Sequence, residues 1–198
     1  MQRRAGLASI TTWLAGLLLL LAAAPAAAAV QISFYSHELG SSFPHAFVVL
    51  KGTLDRDGSR IDEDYGFTAK AVTPAILMGR VGGKIDSTAG PSYVGESDRQ
   101  FTLALSDEEY DRVMATVAAW RNAKQPSYDL NSRNCVHFVA EIAAAIGMKA
   151  ETPKKLMKKP RSYILSLVAA NRAWLEERHA DIGTLKAVSG PEERRAVR

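Results

Sequence analysis

With one cysteine in 198 residues, the chain cannot close an internal disulfide. A lone thiol calls for another account: chance, pairing between molecules, or reactivity. Spacings of the C-x-x-C, H-x-x-x-H and H-E-x-x-H kinds are missing. That removes the closely spaced ligand pairs on which zinc sites are built, so His37, His45, Cys135 and His137 are not expected to hold a metal. G-x-S-x-G, P-loop and dinucleotide fingerprints are missing too, and Gly82-Gly83 lacks the strand–loop–helix context a phosphate loop needs. No cofactor is expected. The chain shows no internal repeat, and no low-complexity block after its N-terminal segment.

That segment reads as an export signal. Met1-Gln2-Arg3-Arg4 supplies a positive end, Trp13 to Leu21 lies in an apolar run, and Ala27-Ala28-Ala29 fits small-x-small cleavage after the break at Pro25. The cut is expected near Ala29–Val30, with 1–29 as signal peptide, which places the mature chain in the periplasm or outside the cell. An uncleaved membrane anchor is the alternative, because Ala5 to Ala29 is nearly long enough to span a bilayer. Cleavage removes Arg3 and Arg4 and lowers the formal charge from +4 to +2. So mild a charge, on an exported chain, argues against nucleic acid as a partner. The remaining residues make one ordinary domain, 30–178, with 179–198 as a flexible C-terminal tail.

Period-2 patterning comes first. Val30–Ser36 and His45–Gly52 read as strands, with His37–Ser42 as a loop between them. Asp55-Arg56-Asp57-Gly58 is a turn and Asp64–Lys70 its return strand. Val81–Ile85 and Arg99–Leu105 are further strands, with Ser87–Ser97 as loop. Helical spacing then takes over. Ser106 with Glu109 forms a capping box ahead of Tyr110, Val113, Met114, Val117 and Trp120. A second helix starts near Asn131–Asn134 and runs to Ile146, capped by Gly147, with Cys135, Phe138, Val139, Ile142 and Ile146 facing inward. A last helix covers Arg161–Arg178. Strands first and helices second give an α+β fold, an antiparallel sheet packed against helices.

A cysteine at a helix start sits where unpaired N–H groups and the helix dipole favour the thiolate, the nucleophilic form. Such a nucleophile wants a base and a group to orient it. His137 is two residues along the same helix, about 200° round, so it diverges from Cys135 and reads as structural. His45 opens a strand and is the favoured base; His37 is the alternative, and so is no base at all. If the hairpin turns near Asp57-Gly58, Thr68 and Lys70 face His45, making Thr68 the expected orienting group, with Asp64 as an alternative. The Cys135 amide is placed to form an oxyanion hole, with Tyr128, Asn131 and Asn134 as side-chain donors. Asn131 and Asn134 fit equally well as helix caps. Lys154-Lys155-Leu156-Met157-Lys158-Lys159-Pro160-Arg161 reads as a solvated connector. Contact with anionic lipid or an acidic polymer is its other reading.

The order of these features, a histidine-led apolar strand followed much later by Asn134-Cys135-Val136-His137-Phe138, resembles the circularly permuted branch of the NlpC-type papain-like superfamily. That branch includes lecithin:retinol acyltransferase-like proteins and PPPDE peptidases. Tyr65-Gly66-Phe67 is similar to its aromatic–glycine return strand. The resemblance spans Val30 to Gly147 and implies a permuted papain-like fold with Cys135 as nucleophile and His45 as general base. In one respect the chain departs from it: the acyltransferase-like members carry a second histidine on the neighbouring strand, and none lies here between His45 and His137. The expected activity is therefore hydrolysis of an amide or peptide bond by an exported thiol hydrolase, with cell-wall peptide as a candidate substrate. A lipid-acting thioesterase or acyltransferase and a non-catalytic peptide- or glycan-binding module are the alternatives. A membrane partner is expected only if the N-terminal segment stays uncleaved.

Overall fold

The computed structural model describes residues 29–38, 43–87 and 90–183. Apart from Ala29, the segment read as a signal peptide lies outside them. Alternation builds the sheet. In β1 (Val30–His37), Val30, Ile32 and Phe34 are fully buried, with more exposed residues between them. β2 (His45–Thr53) is apolar on both faces from Ala46 to Leu50, as befits a strand flanked on both sides. β3 (Arg60–Ala69) returns from the turn, with Phe47 opposite Gly66 and Thr53 opposite Arg60.

Downstream of β3 lie α1 (Ala75–Met78), β4 (Gly83–Asp86), α2 (Pro91–Gly95) and β5 (Asp98–Leu105). α3 (Asp107–Arg121), α4 (Cys135–Ala145), α5 (Pro160–Ala170), α6 (Arg172–Glu177) and β6 (Asp181–Ile182) complete the order. The six strands form one antiparallel sheet in the order β4-β3-β2-β1-β5-β6. The fold is α+β. On one face, α3, α4 and α5 bury a core against Ile32, Phe34, Ala46, Val48, Leu50, Phe67 and Phe101. On the other, Tyr93 of α2 packs beside Phe47 and His37, and Phe47 stacks on Tyr35.

Local chemistry sets the helix ends. Ser106 and Glu109 make the capping box, at 3.2 and 3.0 Å. α4 ends in a Schellman motif: Gly147 at φ 93°, with Met148 N–H on the Ala143 carbonyl and Gly147 N–H on that of Ala144, both 3.0 Å. Phe138, Val139 and Ile142 are fully buried, each contributing about 1.5–3 kcal/mol to holding α4 on the sheet.

Four expectations shift. His37 ends β1 instead of lying in a loop, because it pairs with His45 across the strands. Residues 91–95, within the expected loop, form α2. The last helix breaks at Asn171, whose φ of −119° leaves the helical region. There the Asn171 amide binds Lys149 N–H (2.7 Å) and both the Lys149 and Leu167 carbonyls (2.9 Å), tying α5 to the segment after α4. Finally, Asp181–Ile182, assigned to the tail, pairs with β5, so the sheet extends past the expected boundary. Residues 184–198 lie outside the described set.

Asn171 is buried, so Asn171→Ala should leave the Lys149 backbone groups unmatched and cost about 1–3 kcal/mol of stability. The shift in urea midpoint measures this, and an unchanged midpoint would show that water replaces the amide.

Candidate active site

Four backbone contacts fix where Cys135 sits. Asn134, buried at 2 % exposure, caps α4: its Oδ1 accepts from Val136 N–H (2.9 Å) and His137 N–H (3.3 Å). Its Nδ2 donates to the Leu130 and Met157 carbonyls at 2.8 and 2.7 Å. Cys135 is thus the first helical residue, and the cap does not take its N–H. His137 reciprocates the cap, its Nδ1 accepting the Asn134 backbone N–H at 3.4 Å, which makes it structural. Asn134 is therefore a helix cap whose polar atoms are already engaged.

Cys135 lines a cavity of about 840 Å³ together with His45, Thr68, Asp86 and Tyr128. The hairpin register, continued past Phe47–Gly66, sets Thr68 opposite His45. His45 Nε2 lies against Gly66 so closely that a Cβ built there would collide with it. Gly66 is paired in turn with Asp86 of β4. The imidazole therefore lies over a bare strand position whose other neighbour is a carboxylate. Lys84 holds that carboxylate at 2.5 Å, and the Gln125 side chain fastens β4 by bonding Gly83 N–H and C=O, both at 2.9 Å.

Burial pushes the His45 imidazole from 6.5 down to about 4; nearby His37 lowers it further, and the Asp86 charge opposes the fall. Burial likewise lifts the Cys135 thiol to about 11, against backbone hydrogen bonding at Ala46, Val136 and Cys135 itself. The helix-start stabilisation of a thiolate is present but outweighed, and the resting pair is neutral thiol with neutral imidazole. Among the described residues no hydrogen bond joins the sulfur to the ring. Tyr128 remains protonated, its phenol raised well above the usual range by burial and then by the neighbouring Cys135.

The remaining candidates lie elsewhere. His37 is bonded to Ser97 Oγ through Nδ1 (3.0 Å) and stacks on Tyr93; Tyr93 lines the cavity, but His37 does not. Asn131 borders a smaller neighbouring hollow, its N–H taken by Asp129 Oδ1 at 2.8 Å. Asp64 pairs opposite Val49 farther along the hairpin. Asp86 was not singled out in the sequence, and Gly66 only as part of a return strand. A glycine inside a strand signals close approach of another group, and that signal stood in Tyr65-Gly66-Phe67.

No family model matches the chain, and no curated protein matches it. Among solved structures it is similar to the crystal structure of the type VI secretion system effector TseH, at 17 % identity and a TM-score of 0.47. The match covers 73 % of this chain and 90 % of that one. A likeness this faint carries no argument about activity.

Two pH dependences follow. A folded imidazole titrating near 4 and an unfolded one near 6.5 mean that the unfolded chain binds the extra proton between those values. Stability held above pH 6.5 should therefore drain away as pH falls toward 4, and His45→Gln should flatten part of that slope in melting curves. Equal slopes in both proteins would contradict the buried, neutral ring. For the thiol, iodoacetamide labelling of Cys135 should still be accelerating beyond the ordinary cysteine pKa of about 8.5. A plateau below pH 7 would mean a preformed thiolate.

Proposed function

We propose that the chain is an exported thiol hydrolase of the permuted papain-like kind, acting on an acyl carbonyl through Cys135 and His45. The observation that carries this reading is the shared cavity: a cysteine at the first position of a helix and a strand-leading histidine, far apart in sequence, border one space. In the reaction, His45 takes the thiol proton as sulfur attacks the carbonyl carbon, and the tetrahedral oxyanion meets the Cys135 N–H, with Tyr128 as a neutral second donor. Collapse breaks the bond to the leaving amine, which takes the proton back from His45. Water then attacks the thioester by the same route, releasing the acid and restoring the thiol. Because the resting pair is neutral, proton transfer accompanies attack.

Asp86 is our choice as the orienting group, in place of Thr68. Its charge already acts on the imidazole, and a carboxylate stabilises the imidazolium formed in the reaction, which a threonine hydroxyl cannot do. Thr68 remains a lining residue. An amide bond in an exported peptide, cell-wall peptide included, is the favoured target on the grounds of compartment. One observation favours a second reading, a lipid-acting thioesterase: the cavity is bordered by apolar Phe43, Val72, Leu77, Val136 and Met157.

The test is turnover of peptide amides and long-chain thioesters, with intact-mass detection of acylated protein. Cys135→Ala should lower the rate on the order of 10³-fold or more. Asp86→Asn should cost about 10²-fold and change the pH profile, whereas Thr68→Ala should have little effect. Gly66 has ordinary strand backbone, so Gly66→Ala should keep the fold, displace the ring and cost about 10²-fold. Full activity in Cys135→Ala would end the reading.

A further inference from the structure

The large hydrophobic side chains most exposed among the described residues are Phe43 (68 %), Val72 (59 %), Leu77 (81 %) and Met78 (90 %). They are scattered in sequence but gathered in space. Phe43, Val72 and Leu77 border the large cavity, and Met78 borders the hollow beside it, which Leu77 also lines. Leu77 and Met78 sit on α1, a four-residue helix with no buried residue. The segment around it, Lys70–Arg80, has no acidic residue and is exposed throughout except at Ile76. Lys158 lines both the cavity and the hollow, bringing the basic segment at 154–161 to the same rim. Lys154, Lys155, Lys158 and Lys159 are exposed, and none of them enters a salt bridge among the described residues. Met157, buried at 3 % exposure, anchors that segment and leaves its lysines outward. Two acidic residues border these spaces among the described residues: Asp86 in the cavity, paired with Lys84, and Asp129 in the hollow, its charge met by Arg80.

We propose that this rim docks on an anionic phospholipid bilayer, Leu77 and Met78 entering the headgroup–acyl boundary and the lysines facing lipid phosphates. Apolar side chains that protrude singly are ordinary, but four clustered at a cavity mouth beside unpaired cations match the two forces that hold proteins at a membrane interface. Charge complementarity selects the occupant: a second copy would bring the same excess of cations to the contact. No helix among the described residues is long and apolar enough to cross a membrane, so contact here is peripheral. It depends neither on the N-terminal segment nor on the thiol chemistry. Docking would set the cavity mouth against the headgroup layer.

The test uses the full chain carrying Cys135→Ser and Met78→Cys, the new thiol labelled with a polarity-sensitive dye. It is mixed with vesicles of phosphatidylcholine containing 30 mol % phosphatidylglycerol, or of phosphatidylcholine alone. A local readout separates insertion at α1 from any anchoring by the N-terminus. The dye should shift to the blue with anionic vesicles and be quenched by brominated acyl chains. Changing Lys154, Lys155, Lys158 and Lys159 to Gln should weaken the response on the order of tenfold in lipid concentration. The same dye at Arg60→Cys, at the far end of the hairpin, should not respond. A silent dye at position 78, an equal response to uncharged vesicles or at position 60, or a shift that grows with protein concentration without lipid would each overturn the proposal. The last outcome would assign the rim to self-association.

Discussion

Everything at the candidate site depends on how one buried amide ties three pieces of chain together. Asn134 takes two N–H groups of α4 with its oxygen and gives its two protons to carbonyls of the preceding loop and of residue 157. An amide has few other ways to satisfy donors and acceptor at once in a dry setting, so the start of α4 has one available position. The cysteine follows immediately and is carried onto the Ala46 backbone. The same bond to Met157 draws in the basic segment, so the cavity floor and the cationic rim share one fastening.

Burial and charge pull the chemistry in opposite directions. A thiol at a helix start gains from the dipole and from nearby N–H groups, yet here the loss of water outweighs both, and the imidazole is driven the same way toward neutrality. A neutral pair is cheap to bury, whereas a separated ion pair is not. The two groups share a cavity without a direct hydrogen bond.

Gly66 shows how a missing side chain can be a structural element. Three neighbouring strands present His45, Gly66 and Asp86, and the bare middle position makes room for the ring. Any side chain there would occupy the volume the imidazole fills. On the same sheet face Phe47 stacks on Tyr35 and His37 on Tyr93, so two histidines paired across adjacent strands have different partners: His37 meets Tyr93 and Ser97, His45 the bare Gly66.

Much of the architecture was open to reading one segment at a time, because it rests on short-range chemistry. The alternation of Val30, Ile32 and Phe34, the Ser106–Glu109 box and the Gly147 cap each act within a few residues, and each stands where it was expected. The placing of Cys135 at a helix start was legible for the same reason. The split at Asn171 was not, since its cause is the backbone of residue 149, twenty-two positions away. The position of Asp86 was equally hidden: it arises from a β3–β4 pairing that puts a carboxylate opposite a glycine, and register of that kind is set by how strands dock. The balance of charge at the sulfur depends on how much water the assembled fold expels, a property of the packed whole that no local run of residues encodes.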